Sequence, residues 1–203
     1  STTSPVPVPI YGTDGKVRLV ENATDGFRKI PGPVTLNDVI KTPLTFYYSV
    51  ADPSDWLTPQ NNTLWGNGTG KSIYDPCPAG WRVAPNGTWN DFGNAPYADP
   101  FYYYVNGIQQ TEMNTPPIES HSTNGRYYKP GSGQIRTWYA ASGGYQRNDG
   151  LLAWGGESGY VWSSSIEHIS NVYGYYLIFG TNSVDPNYTT YRAHAYEVRC
   201  IQE

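Results

Sequence analysis

Apolar and polar residues exchange places over short distances in this chain, and no segment keeps a helical period long enough for a long amphipathic helix. Short strand-like runs dominate. KVRLV (Lys16 to Val20) alternates after the turn GTDG, and LTFYYSV (Leu44 to Val50) is rich in aromatic and β-branched residues, so both are expected to be strands. VTLNDVIK (Val34 to Lys41) fits either one short helix or a strand. Farther on, TWYAASGGY (Thr137 to Tyr145), GYVWSSS (Gly159 to Ser165), YGYYLIFG (Tyr173 to Gly180) and YEVRCIQE (Tyr196 to Glu203) have strand composition and are separated by Gly, Asn or Pro. Four such segments in succession predict an antiparallel sheet. Tyr175, Leu177 and Phe179 then share one strand face and are read as core, whereas Tyr188, Thr189, Thr190, Tyr191 and His194 fall in an exposed polar loop after DPN.

Chain-breaking residues fill the remainder. Residues 1–10 alternate Pro with Val, an extended polyproline-like lead short of donors for a sheet. DPSDW, TPQNN and GNGTG punctuate residues 51–70, NGTWNDFGNA suits a short helix starting near Asn86 or Thr88, and residues 94–135 read as irregular. Such a layout fits a small scaffold displaying loops.

Composition narrows the class. The 203 residues fit one domain, and only 15% are charged, against about a quarter in average globular chains, while Gly (22), Pro (17) and Tyr (19) are abundant. That is the balance of a loop-rich, extracellular-type fold. A net charge of −4 without a Lys or Arg run gives no footprint for nucleic acid. No apolar run reaches the roughly 20 residues of a membrane helix. The opening STTSPVPVPI has no signal-peptide pattern, so the expectation is a trimmed chain whose targeting segment has been removed.

Two cysteines, Cys77 and Cys200, cannot make a zinc site alone, which leaves one long-range disulfide or two buried thiols. The composition suggests an oxidising compartment and weighs toward the disulfide. Closing so long a loop would contribute roughly 4–5 kcal/mol in the chain-entropy model.

Candidate chemistry is thin. GNGTGKS resembles a phosphate-cradling loop, but that motif needs glycine at the position of Trp65, and the prolines of IYDPCPAG exclude the helix that should follow. His121, His168 and His194 are scattered, no Ser sits in a G-x-S-x-G elbow, and nothing pairs Asp91, Glu112, Glu119, Asp149 or Glu157 as acid and base. No catalytic residue is assigned. WND (Trp89 to Asp91) and DPN (Asp185 to Asn187) carry hard oxygen donors of the kind calcium takes. Their order and place differ from a calcium-dependent sugar site, so no cofactor is expected, a structural calcium being the only ion this chemistry would admit. Sequons at Asn22, Asn61, Asn67, Asn86 and Asn187 are expected by chance in so Asn- and Thr-rich a chain.

Three blocks occur in order: KSIYDPCPAGWRVA, GYVWSSS and the ending YRAHAYEVRCIQE. With them the chain resembles the Fibrobacter succinogenes major paralogous domain, found at the C-terminus of fimbrillin-like surface proteins of Bacteroidales. Ala84 before Pro85 departs slightly from the family block, while KTPLTFYYSVADPSDW and LWG resemble its lead-in, so the resemblance spans residues 41–203 and leaves 1–40 as an extended N-terminal segment. The resemblance implies an α+β, C-type-lectin-like fold, loop-rich with short antiparallel strands, few short helices and a Cys77–Cys200 disulfide joining the first helix region to the last strand. It also implies a non-enzymatic ligand-binding or adhesion module, extracellular or on the cell surface, outer-membrane-anchored or pilus-associated. The partner would be a protein or glycan on a cell, phage or host surface. A structural pilus or envelope subunit, contacting sister subunits, is the alternative. The distant sulfatase-activating relatives of that fold rely on reactive cysteines, which a Cys77–Cys200 bond would consume.

The tail further resembles variable proteins of diversity-generating retroelements, in which adenines of Asn-type codons are randomised. Aligned on YYL, F and VRC, the variable positions fall at Tyr173, Ile178, Gly180, Ser183, Asp185, Tyr188, Thr189, Thr190, Tyr191 and His194. Each is reachable from an Asn codon by changing adenines alone. Tyr with Ser, Gly, Asn and Thr is also the composition of a recognition surface, rigid amphipathic rings beside adaptable hydrogen-bonding groups.

Overall fold

Backbone pairing follows the aromatic and β-branched runs. The computed structural model describes residues 10–11, 17–18, 28–42, 45–66, 70–90, 103–105, 108–109, 124–128, 137–180 and 183–203. In chain order these residues form β1 (Ile10–Tyr11), β2 (Val17–Arg18), β3 (Arg28–Pro31), α1 (Leu36–Lys41), β4 (Thr45–Tyr48), β5 (Trp81–Val83), β6 (Tyr103–Val105), β7 (Ile108–Gln109) and β8 (Gly125–Tyr128). There follow β9 (Thr137–Ala140), β10 (Gly144–Tyr145), β11 (Leu152–Ala153), β12 (Gly159–Ile166), β13 (Tyr173–Phe179), β14 (Val184–Tyr191), β15 (Glu197–Val198) and β16 (Cys200–Gln202). Short, largely antiparallel strands with one helix among the described residues make a loop-rich α+β architecture.

Thr35 decides between helix and strand for VTLNDVIK. Its side chain accepts from the Asp38 amide while the Asp38 carboxylate accepts from the Thr35 amide at 3.0 Å, a reciprocal capping box. The Thr35 hydroxyl also donates to that carboxylate at 2.5 Å, and this bond together with the one from the Thr35 amide holds the Asp38 carboxyl below its ordinary range. The helix then serves as the crossover that lets β3 and β4 pair in parallel, Ile30 opposite Tyr47. A boundary between residues 40 and 41 would cut this unit inside its helix. Ile10, at the end of the proline-rich lead, and Tyr11 pair with Arg18 and Val17 in a short antiparallel ladder.

The main sheet runs β14-β13-β12-β15. Two of the expected four segments depart from an antiparallel set. β15 joins β12 in parallel, Val161 opposite Glu197, because the chain leaving β14 turns back before it enters the sheet. β9 instead pairs with β8 in a second sheet ordered β7-β6-β8-β9. Three of those strands come from residues 94–135, which were expected to be irregular; the runs YYV and GRYY favour strand despite the surrounding Pro and Gly. NGTWNDFGNA makes turns over residues 86–90 rather than a helix, and its remainder lies outside the described residues.

β12 and β13 are apolar on both faces. Val161, Leu177 and Phe179 join Ala84, Trp89, Tyr139 and Ala141 in one buried cluster, with the Trp89 indole donating to the Tyr139 hydroxyl at 3.0 Å. Tyr160, Trp162 and Tyr176 form the other, against Trp65, Ile178, Tyr196 and Val198. Gly159 is what lets Phe179 lie across β12: a Cβ there would meet the Phe179 ring at 2.1 Å.

The expected disulfide is present, and Cys77 and Cys200 close a span of 123 residues. Cys77 lies in a turn-rich loop rather than a helical region; α1 is the nearest preceding helix among the described residues. β5 pairs with β16 beside the bond, Val83 opposite Cys200. Buried Asp75 accepts from the Cys77 amide at 2.8 Å and the Val83 amide at 3.0 Å. Lys71, the lysine of GNGTGKS, is directed inward. Its ammonium donates to the carbonyls of Cys77, Pro78 and Trp81 and lies 3.7 Å from Asp75. Lys71 thereby ties the DPCPAGW turns together. Lys71→Met, which keeps the stem and removes the charge, is expected to lower stability by about 2–3 kcal/mol, read as a lower urea midpoint at unchanged slope.

Candidate functional site

Nine of the ten tail candidates lie on the β13–β14 hairpin, with His194 just beyond it. The structure turns the expected polar loop into an edge strand. Tyr188, Thr189, Thr190 and Tyr191 pair with Tyr176, Tyr175, Gly174 and Tyr173, since NYTTY is itself strand-favouring. Pro186, which has no amide to donate, falls where the register slips between Tyr176 and Ile178.

Alternation then divides the candidates between two faces. Tyr188, Asp185, Thr190 and Ile178 share the face of Tyr176; Tyr173, Thr189 and Tyr191 share the opposite one. Tyr173 and Tyr191 rings stand 4.8 Å apart, and the hydrogen bond between their hydroxyls raises the Tyr173 phenol. Arg147 lies over Tyr191 at 4.2 Å. Gly180 is buried at the hairpin turn, its amide donating to the exposed Ser183 at 2.9 Å, and Ile178 packs on the aromatic cluster. Leu177 and Phe179 are fully buried, with Tyr175 half-buried on their face. Asp185 accepts from the Asn187 amide, and the Asn187 side chain donates to Asn90 at 2.9 Å, so WND and DPN meet through their asparagines. Asp91 lies outside the described residues, among which no group of three His, Cys, Asp or Glu comes together.

A row of rings crosses the sheet. Trp154 lies 5.9 Å from Tyr160, Tyr160 lies 6.1 Å from Tyr176, and Tyr176 lies 5.6 Å from Tyr188. Tyr196 stacks on Tyr160 at 4.8 Å and covers the middle. The row is thus buried at its centre, where burial raises the Tyr160, Tyr176 and Tyr196 phenols, and open at its ends, with Trp154 49% and Tyr188 51% exposed.

Trp154 was not singled out from the sequence. Its backbone has φ +56°, a left-handed conformation that costs a bulky residue roughly 1–2 kcal/mol. Its carbonyl accepts from the Glu157 and Ser158 amides, which fixes the turn. The available signal was AWGG, a large ring placed where a turn favours glycine.

Beside the row, residues 39–42 and 45–65 pack over the same sheet face and leave a cavity of about 410 Å³ with mostly apolar walls. At its edge Arg192 lies 2.7 Å from Asp55, the aspartate buried and the arginine side chain 10% exposed; Arg192 also donates to Asn62 at 2.8 Å. Burial raises Asp55 and lowers Arg192, and the charge of each partner opposes the other's shift. The pair joins the lead-in to the end of β14, a contact between residues far apart in the chain. His194 stacks on Tyr196 at 5.4 Å. Burial, aided by the Arg147 charge and opposed by a hydrogen bond to the Tyr145 backbone, pushes His194 down to about 4. His194 Nδ1 and Arg192 Nε are covered and have no hydrogen-bond partner among the described residues.

Comparison of the chain with protein-family models, curated proteins and solved structures finds no match in any of the three.

Between pH 6.5 and about 4 the unfolded chain protonates His194 and the folded one does not, so stability falls as pH drops through that window. Wild type is expected to lose about 2 kcal/mol more than His194→Gln between pH 7 and pH 4, allowing for solvent screening of a partly exposed ring. Urea unfolding at the two pH values measures the difference.

Proposed function

We propose that this protein is a non-enzymatic ligand-binding or adhesion module of the cell surface, with the C-type-lectin-like arrangement that its DPCPAGWRV, GYVWSSS and VRCIQE blocks resemble. One observation carries the reading: the rings of Trp154 and Tyr188 are held out to solvent at the two ends of an otherwise buried aromatic row. Exposed aromatic rings on a rigid support provide large contact area at little entropic cost, which is what recognition surfaces use. The left-handed backbone at Trp154 supports the same reading, because strain of this kind is retained where the displayed side chain matters. The partner is a protein or glycan on another surface.

In this reading the hairpin is also the diversified segment. Its geometry divides the work: the exposed positions, Tyr188 on β14 and Ser183 at the turn, meet the ligand, whereas Ile178 and Gly180 adjust the packing beneath. Binding to a glycan and protein array is expected to weaken at least about tenfold for Trp154→Ala or Tyr188→Ala, a loss of about 1.4 kcal/mol, with folding preserved. Unchanged binding by both variants would remove the row from the site. Related genes are expected to differ mainly at the ten hairpin positions beside a template repeat and a reverse transcriptase. Substitutions spread evenly over the chain would count against diversification.

A further inference from the structure

We propose that the cavity between residues 45–65, with Val39, and the aromatic face of the main sheet is a second binding site, for an uncharged, flat, largely apolar molecule: an aromatic ring system carrying at most a hydroxyl or amide. The site does not depend on the surface reading of Trp154 and Tyr188.

Size, shape and charge lead to this class. About 410 Å³ lies within the roughly 300–1,000 Å³ that small-molecule sites span. The lead-in supplies Phe46, Trp56 and Trp65 to the lining, and the sheet side supplies Trp162 and Tyr196, so an aromatic guest finds aromatic side chains on both sides. The charges of Arg192 and Asp55 cancel at 2.7 Å, and Asn62 takes a further guanidinium hydrogen bond. His194 is neutral above about pH 4. An ion entering here would lose its hydration and meet no uncompensated counter-charge. A sugar fares little better, since each hydroxyl shed from water needs a partner, the walls are mostly apolar, and the orphaned His194 and Arg192 nitrogens are covered. Asn61 and Pro76 are the exposed members of the lining and mark the rim.

The probes are naphthol, naphthoate, naphthylmethylammonium and methyl glucoside, titrated calorimetrically into the full chain at pH 7. Naphthol is expected to bind saturably at one site, with both charged analogues and the glucoside at least about tenfold weaker. Val39, on α1, lines the cavity, while its neighbour Ile40 is 58% exposed and does not. Val39→Trp is therefore expected to weaken naphthol at least about tenfold and Ile40→Trp to leave it unchanged. Leu64→Trp fills the cavity from another segment and serves if circular dichroism shows Val39→Trp misfolded. Absence of saturable naphthol binding, equal binding by a folded filled variant, or preference for a charged probe or the glucoside overturns the proposal. Unchanged naphthol binding in Tyr188→Ala alongside lost array binding would show the two sites to be separate.

Discussion

β12 and β13 must hide apolar side chains on both faces, and that requirement shapes the rest of the molecule. Two adjacent strands with this pattern cannot lie at a surface; they need cover above and below. Trp89 and Tyr139 supply it on the Phe179 side, reaching in from a loop and from the second sheet. On the Tyr176 side the cover is the long lead-in, held by Asp55 against Arg192. Because the lead-in closes down on large rings rather than on small aliphatics, it leaves the gap that becomes the cavity. The disulfide and the β5–β16 pair hold the Trp89 loop to the last strand, so the cover over one face is fastened to the end of the chain.

Much of this architecture was legible where a local rule decides. β12 and β13 were visible as aromatic and β-branched runs, and Leu177 and Phe179 fell on the buried face as alternation requires. The cysteines were narrowed to two options, of which the resemblance favoured the bonded one. What stayed hidden depends on pairing between distant segments. Nothing local distinguishes the parallel entry of β15 from an antiparallel one, because both require the same side chains. Residues 94–135 read as irregular because Pro and Gly outweigh strands of two to four residues in any window, although β8 gains its stability from a partner such as Thr137–Ala140.

The shape of the candidate segment was read incorrectly. A tyrosine- and threonine-rich tail was read as loop, yet the residues that favour contact also favour strand, and the hairpin turns four of its candidates to one face and three to the other. Trp154 escaped notice because its distinction is conformational: a positive φ cannot be seen in composition. Asp55 and Arg192 escaped for the opposite reason. Each is an ordinary charged residue until folding brings them to 2.7 Å.

Lys71, the lysine of the motif that resembled a phosphate cradle, has a different significance among the DPCPAGW turns. Carbonyl oxygens of Cys77, Pro78 and Trp81 converge on one positive charge, the arrangement with which many extracellular loops hold a dissolved ion. Here the ion is attached to the backbone by four methylenes. It cannot be diluted, exchanged or stripped by a chelator, so the rigidity of this corner is inherited with the gene rather than drawn from the surrounding medium.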